Sequence, residues 1–327
     1  MRNRLMLLVT GITLLGTMGF VQRQRRLNPV VELLAAKKPI FGLYAPANRR
    51  GRGGAPPPAD APLPKTPAEL AADALAHTPN DYIFDGSMEG DFDRAFPVFA
   101  EFVKGMAGKA VETAPSPRLH HPLIVKTHLI AENPSLAAER IGRQLNLGVS
   151  GIVFVGVESA DEVKQGLTAM RFKSNGGTRP DDVGDAPALW GMSVKDYKAN
   201  ADVWPLNPKG ELVNWTIVES KAGLAHVREI AAVKGIGVLF PGAGTLGGVF
   251  STTDSTGRRV RDDKAWEAAI QQVLAACKEF SVPCGFPANT PEVMEPRLKE
   301  GFSVFVIGWG ENGFKTVDAG LKASGRN

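Results

Sequence analysis

Cysteine is nearly absent from this sequence: in 327 residues only Cys277 and Cys284 carry a thiol. Two cysteines cannot define a disulfide framework, so no small disulfide-held scaffold is built here. They lie on an expected helix and at the strand after it, close enough to approach each other, and two buried thiols are the plainer reading. A basic stripe interleaved with aromatics is missing too. The net charge of +4 is modest and gathered near the start of the chain. Arg2, Arg4, Arg23, Arg25 and Arg26 flank the first apolar run, and Arg49, Arg50 and Arg52 share one loop. Nucleic acid is therefore excluded as the expected partner, while a small anionic substrate is easily accommodated. Disorder is excluded by content that is 43% hydrophobic and 22% charged, in a length that suits one large α/β domain or two small ones.

One long apolar run is present, at the start. Met1–Arg4 is basic, Leu5–Val21 is nearly uncharged, and QRQRR at Gln22–Arg26 ends it. This is the plan of a secretory signal, with a run slightly short for a membrane span. Thr17 and Gly19 allow cleavage after Gly19, but no A-x-A site stands there. An uncleaved N-terminal membrane anchor stays open beside it. The expected organisation is a leader or anchor over residues 1–26, an exported chain, and one domain over residues 27–327.

Beyond the leader, eight strand-like apolar runs alternate with helix-like stretches. They are Pro39–Pro46, Tyr82–Ser87, Leu123–His128, Gly151–Val157, Val213–Ser220, Ile236–Pro241, Cys284–Asn289 and Phe302–Trp309. Most are continuous rather than alternating, as parallel strands covered on both faces should be. Helices are expected over Ser135–Leu147, Ala160–Met170, Ala222–Val233 and Asp263–Phe280. This pattern predicts an α/β fold of the (β/α)₈ TIM-barrel kind. Two connections are long, 47–67 and 171–210. Taken as loops that follow strands, both are expected at the C-terminal face, the second as a lid carrying Trp190 and Trp204.

Polar residues fall where that fold makes them converge. Asp85, Lys126, His128, Glu158 and Glu219 each stand near the end of an expected strand, and such ends meet at one mouth. Taken singly, each reads most plainly as half of a structural ion pair; five converging from four strands point to a site. Gly242–Gly247 (GAGTLG) matches G-x-G-x-x-G after a strand, but VFSTTDSTGRR follows where a helix should hold pyrophosphate. It reads as a flexible loop, and a nucleotide-dependent oxidoreductase is the weakest function class.

The stretches NPVVELLAAKKPIFGLY, LNLGVSGIVFVGVESADEVKQGLTAMRFKSNGGTRP and VNWTIVESKAGLAHVREIAAVKGIGVLFPGAG occur in the order seen in HpcH/HpaI aldolases. From about Asn28 to Ser324 the chain resembles this aldolase/citrate lyase family. The resemblance implies a barrel that makes or breaks a carbon–carbon bond beside a pyruvate enolate, with a divalent metal (Mg²⁺, Mn²⁺ or Co²⁺) polarising the 2-oxo acid. It also implies a homo-oligomer. Glu219 stands at the first metal carboxylate and Lys126 at the oxyanion arginine, where a lysine keeps the charge but loses the bidentate fork. Arg179 matches the arginine of a glycine-rich turn.

Three positions depart from the pattern. Gly244-Thr245 occupy the place of the second metal carboxylate, Ser87-Met88 that of a histidine, and Asn146 that of an aspartate. A single carboxylate holds a hard dication poorly. Glu158, Glu89 and His128 are the available replacements, with Glu158 the expected second metal ligand and Lys126, Glu89, His128 and Arg179 the expected catalytic set. Two readings follow: a metal-dependent lyase on a 2-oxo acid or related carbonyl compound with an altered site, or a catalytically silent exported barrel that binds a small carboxylate.

Overall fold

Each continuous apolar run contains a strand. The computed structural model describes residues 25–48, 63–109, 111–112 and 118–326. The strands are β1 Ile40–Tyr44, β2 Ile83–Asp85, β3 Leu123–Lys126, β4 Gly151–Phe154, β5 Leu212–Val218, β6 Val238–Pro241, β7 Gly285–Pro287 and β8 Val304–Ile307. All are parallel to their neighbours in one curled sheet ordered β7–β8–β1–β2–β3–β4–β5–β6. Between its two outer strands a single parallel bridge joins Leu239 to Cys284.

A helix α1 (Pro29–Ala35) precedes β1, and α2 (Pro67–Ala76), α3 (Phe92–Met106), α4 (Pro134–Asn146) and α5 (Ala160–Met170) follow the first four strands. Their starts are chemically marked. Thr66 and Glu69 form a capping box, and the Asn133 and Ser159 side chains accept the backbone N–H three residues on. Beyond α5 come α6 (Ala186–Leu189) and α7 (Val194–Asn200), then α8 (Lys221–Ala225) and α9 (Val227–Ala231) after β5. These last two divide at His226 the single helix expected over Ala222–Val233. The second half of the sheet is covered by α10 (Ala243–Val249), α11 (Asp263–Phe280), α12 (Pro291–Glu300) and α13 (Glu311–Ala323).

Strand alternation sorts two cores. Phe41, Leu43, Val125, Phe154 and Phe305 face the helices, while Ile40, Phe84, Ile124, Val153, Trp215, Phe240 and Val306 fill the concave side of the sheet. Room for the large rings comes from glycine. A Cβ on Gly42 would lie 2.1 Å from the Tyr82 ring, and one on Gly285 1.9 Å from the Phe240 ring. Either substitution to alanine would overpack this core, at a cost of about 1–3 kcal/mol.

The long segment 171–210 corrects the sequence reading. It follows α5, not a strand, so it returns to the N-terminal ends of the strands. Its Val203–Trp204 pair lies beside the first residues of β5, Val203 against Leu212. It is packed rather than loose: Trp190 and Tyr197 are fully buried, and Trp190 Nε1 donates to the Gly148 carbonyl at 2.8 Å. It cannot be a lid over the opposite end. Most of the other long connection, residues 49–62, lies outside the described residues, as does the leader through residue 24. Arg26, read as the last leader residue, is held to the domain, with its guanidinium 3.3 Å from Glu211 and 3.0 Å from the Pro208 carbonyl. Among the described residues no helix is long and apolar enough to cross a membrane.

Two further expectations change. Cys277 and Cys284 are not free thiols but form a disulfide with Cα atoms 5.6 Å apart, tying the end of α11 to the start of β7. GAGTLG is not a flexible loop: Gly242 caps α10, and the other five residues are helical. A hairpin, Ser251–Thr253 with Arg259–Arg261, follows it.

Candidate active site

The interior register of each strand, continued past its C-terminal end, picks out the residues of the mouth. On β1 the series Ile40, Gly42 ends in Tyr44. On β3 it runs Ile124, Lys126, His128, and on β5 Val213, Trp215, Ile217, Glu219. These polar groups therefore cap an apolar interior. Trp215 beneath them is fully buried, with its ring edge-on to Tyr82 at 5.1 Å and stacked on Phe240 at 6.3 Å.

Lys126, Glu89 and His128 are brought together. Lys126 Nζ lies 2.7 Å from Glu89 Oε2, with side-chain exposures of 17% and 39%. His128 Nδ1 lies 3.0 Å from the Glu89 carbonyl, and its Nε2 lies 2.9 Å from Glu132 Oε2. The histidine thus braces the loop that carries Glu89. Asp85 ends β2 and accepts from the Ser87 backbone N–H at 2.9 Å and from its hydroxyl at 2.6 Å. Burial raises the Asp85 carboxyl above the usual range, and those two bonds oppose the rise. Tyr44, missed by the sequence reading, is 40% exposed and lies edge-on to Phe84 at 5.0 Å. Burial raises its phenol; the Lys126 charge pulls it down, and Glu89 and Asp85 push it up. Tyr44, Asp85, Glu89 and Lys126 therefore share one electrostatic neighbourhood. The alternation Ile40-Gly42-Tyr44 was the signal for the tyrosine.

Glu219 occupies the mouth from β5, half-buried. Its Oε1 accepts the Gly156 backbone N–H at 3.0 Å. Gly242 makes room for it, since a Cβ there would come within 2.4 Å of Glu219 Cβ and 2.5 Å of Oε2. Glu158 is turned to the rim. Gly156 at φ +59° redirects the chain after β4, leaving Glu158 exposed, with Ser220 Oγ donating to its Oε1 at 2.6 Å.

Arg179 is placed elsewhere. It is 2% exposed, its guanidinium lies 4.2 Å from the Phe172 ring, and it donates to Asn146 Oδ1 at 2.8 Å and Tyr197 Oη at 3.2 Å. Asn146 ends α4, which leads into the start of β4, so this arginine holds the 171–210 segment to the N-terminal side. A buried arginine with an aromatic face and two acceptors is a packing element.

The donor set also answers the question of a divalent cation. Among the described residues no group of three or more His, Cys, Asp or Glu side chains is arranged to hold a metal. Glu219 spends Oε1 on the Gly156 N–H, and Glu158 is bonded to Ser220. Hard dications are held by carboxylates, with water filling the remaining positions. Here Gly244 and Thr245 offer none while Glu158 faces the rim, so a cation at Glu219 would lack the second carboxylate and the residues present fit one poorly.

This geometry can be set against known proteins. No family model matches the chain. The solved HpcH/HpaI aldolase/citrate lyase family protein of Burkholderia cenocepacia J2315 superposes with a TM-score of 0.60 at 22% identity, covering 86% of this chain and 92% of that one. An HpcH/HpaI aldolase of Desulfitobacterium hafniense DCB-2 gives 0.56 at 16% identity, covering 85% and 89%. In sequence, the hydroxypyruvate/pyruvate aldolase of Paraburkholderia phytofirmans is 25% identical over 283 residues, 86% of this chain and 90% of that enzyme. The chain is similar in fold to HpcH/HpaI aldolases and in sequence to two aldolases. The resemblance read from the motifs holds. A 2-dehydro-3,6-dideoxy-6-sulfogluconate aldolase of Pseudomonas putida is 26% identical over 170 residues, half of this chain, and the match spans 59% of that enzyme's length. Polar residues stand at the C-terminal ends of this chain's parallel strands, where barrel enzymes in general carry their sites.

Proposed function

We propose that this HpcH/HpaI-like chain is an aldolase-type carbon–carbon lyase acting on a 2-oxo acid at the C-terminal mouth of a barrel closed through the Leu239–Cys284 bridge. The observation that carries the reading is the Lys126–Glu89 pair, 2.7 Å apart and open to solvent on one side. A cation there stabilises the oxygen that turns negative when the substrate becomes an enolate. Glu89, with 39% of its side chain exposed, is placed to take and return a proton, and His128 keeps its loop in position. Glu219 and Tyr44 complete the polar lining. Relatives named as aldolases support the class, and one named for hydroxypyruvate and pyruvate supports a small 2-oxo acid. The metal-dependent form of the reaction finds no matching donor set, and no step is assigned to a metal.

The alternative, a silent carboxylate binder, is favoured by one observation: Gly244-Thr245 and Ser87-Met88 stand where the resemblance implies an aspartate and a histidine. Proton exchange separates the two. Pyruvate incubated with the protein in deuterated water should lose its methyl protons, read by NMR. Lys126→Met should slow that exchange by about a hundredfold. Pyruvate that binds without exchange marks a binder. Export is proposed from the basic–apolar leader, and the Cys277–Cys284 disulfide supports an oxidising destination.

A further inference from the structure

We infer that Lys126 is a nucleophile that forms a Schiff base with the 2-oxo acid, with Glu89 as its proton partner. This rests on the lyase reading above and says how the carbanion charge is held without a dication. Three observations carry it. An arginine is implied at this position by resemblance, and this chain has a lysine; a guanidinium stays protonated in proteins, whereas an amine can give up its proton and attack a carbonyl. Lys126 lies on the interior register of β3, mostly buried, with its amine at the mouth rather than on the rim. The carboxylate that must accept its proton is already 2.7 Å away. The donor set described above leaves the usual electrophile a single interior carboxylate, Glu219, and the amine is a group able to replace it.

The step balances without an oxidant or reductant. Lys126 ammonium passes one proton to Glu89, and the free amine bonds to C2 of the 2-oxo acid. The carbonyl π pair moves to oxygen, and the remaining ammonium proton passes to that oxygen to give a carbinolamine. Glu89 returns its proton to the hydroxyl, which leaves as water, and a C=N⁺ iminium remains. The iminium carries the same single positive charge as the ammonium it replaces, so Glu89, ionised again once water has left, regains an oppositely charged neighbour. Breaking the C3–C4 bond then sends its electron pair into the iminium to give an enamine, while the proton of the C4 hydroxyl goes to Glu89 and the aldehyde departs. Protonation of C3 and addition of one water release pyruvate and restore the amine.

Borohydride trapping tests this on the full chain treated with EDTA. Pyruvate plus sodium borohydride should leave one reduced pyruvyl adduct per chain, and peptide mapping should locate it on Lys126. Lys126→Arg, which keeps the charge opposite Glu89, should abolish trapping. Glu89→Gln should still give the adduct but roughly tenfold more slowly or worse, because the proton acceptor is lost. If Lys126→Arg does not fold, the mapped position in the wild-type chain decides alone. An adduct mapped to another lysine overturns the inference. Methyl-proton exchange without any adduct overturns it while leaving the lyase reading intact; neither exchange nor adduct overturns both.

Discussion

The two ends of the sheet use the same charged residue types to opposite purpose. At the N-terminal end the buried carboxylates are consumed inside the protein. The Asp202 carboxylate receives Arg171 at 2.6 and 3.0 Å, the Val203 N–H at 2.8 Å and Asn207 at 2.9 Å. Asp81 is clasped by Arg326 and accepts the Phe41 N–H at 2.8 Å. At the C-terminal end Lys126 and Glu89 are paired yet keep one side free, and Tyr44 is 40% exposed. A cavity of about 580 Å³ lies at the N-terminal end among Lys37, Trp204, Lys234, Lys278 and the disulfide, without a carboxylate or histidine in its wall. What distinguishes the mouth is incomplete pairing of converging polar groups, and the N-terminal end is where the fold is held.

The comparison breaks if N-terminal substitutions alter chemistry or mouth substitutions leave it alone. The largest effect on stability is expected from Asp202→Ala. Burial works to raise this carboxyl, and bonds from Arg171, Asn207 and the Val203 N–H overcome it and hold it low. Removing it strands the Arg171 charge and should cost about 3–5 kcal/mol in denaturant unfolding, with pyruvate exchange per folded molecule unchanged.

Next comes an acid dependence seated at the same end. Burial, aided by His120, pushes the His121 imidazole down to about 4. The folded state thus resists a proton that the unfolded chain takes near pH 6.5. The contribution is complete above that pH and is lost as pH falls towards 4, on the order of 3 kcal/mol over the window. His121→Asn removes the titration, and asparagine tolerates the native φ of +54°. Its stability between pH 7 and pH 4.5 should fall less than that of wild type; parallel curves would assign the acid limb to other groups.

The smallest cost in stability, about 1–3 kcal/mol, is expected from Gly242→Ala, which crowds Glu219. This substitution should nevertheless alter exchange or substrate affinity, because a mouth carboxylate is displaced. Full activity at reduced stability would take Glu219 out of the site.

The strands were legible because a sheet covered on both faces writes itself as continuous apolar runs, and all eight runs contain one. The placing of Lys126 and His128 at one mouth was legible for the same reason, since strand ends fix where side chains meet, whereas Glu89 lies in a loop past β2 and was reached only through the resemblance. Segment 171–210 was misplaced because its polar, turn-rich sequence hid Trp190 and Tyr197 as a packed core, and because the helix Ala160–Met170 before it was not used to fix the end it returns to. Arg179 sits in a glycine-rich turn, but nothing local says that Phe172 and Asn146 will enclose it. The role of Gly242 was hidden as well, since a missing Cβ acquires meaning only when Glu219 arrives from another strand. The cysteines could be placed near each other, but pairing depends on geometry that spacing does not contain.

Strand β1 hydrogen-bonds to β8, near the far end of the chain, with Ile40 opposite Val304. It therefore waits, with one edge bare, until β8 has been made. Arg326 then fastens the seam, binding the Pro39 carbonyl at 2.8 Å as well as Asp81. Such non-local pairing folds slowly, and an unpaired edge invites wrong partners meanwhile. The residues after α13 thus act as a latch that closes only once β8 lies against β1.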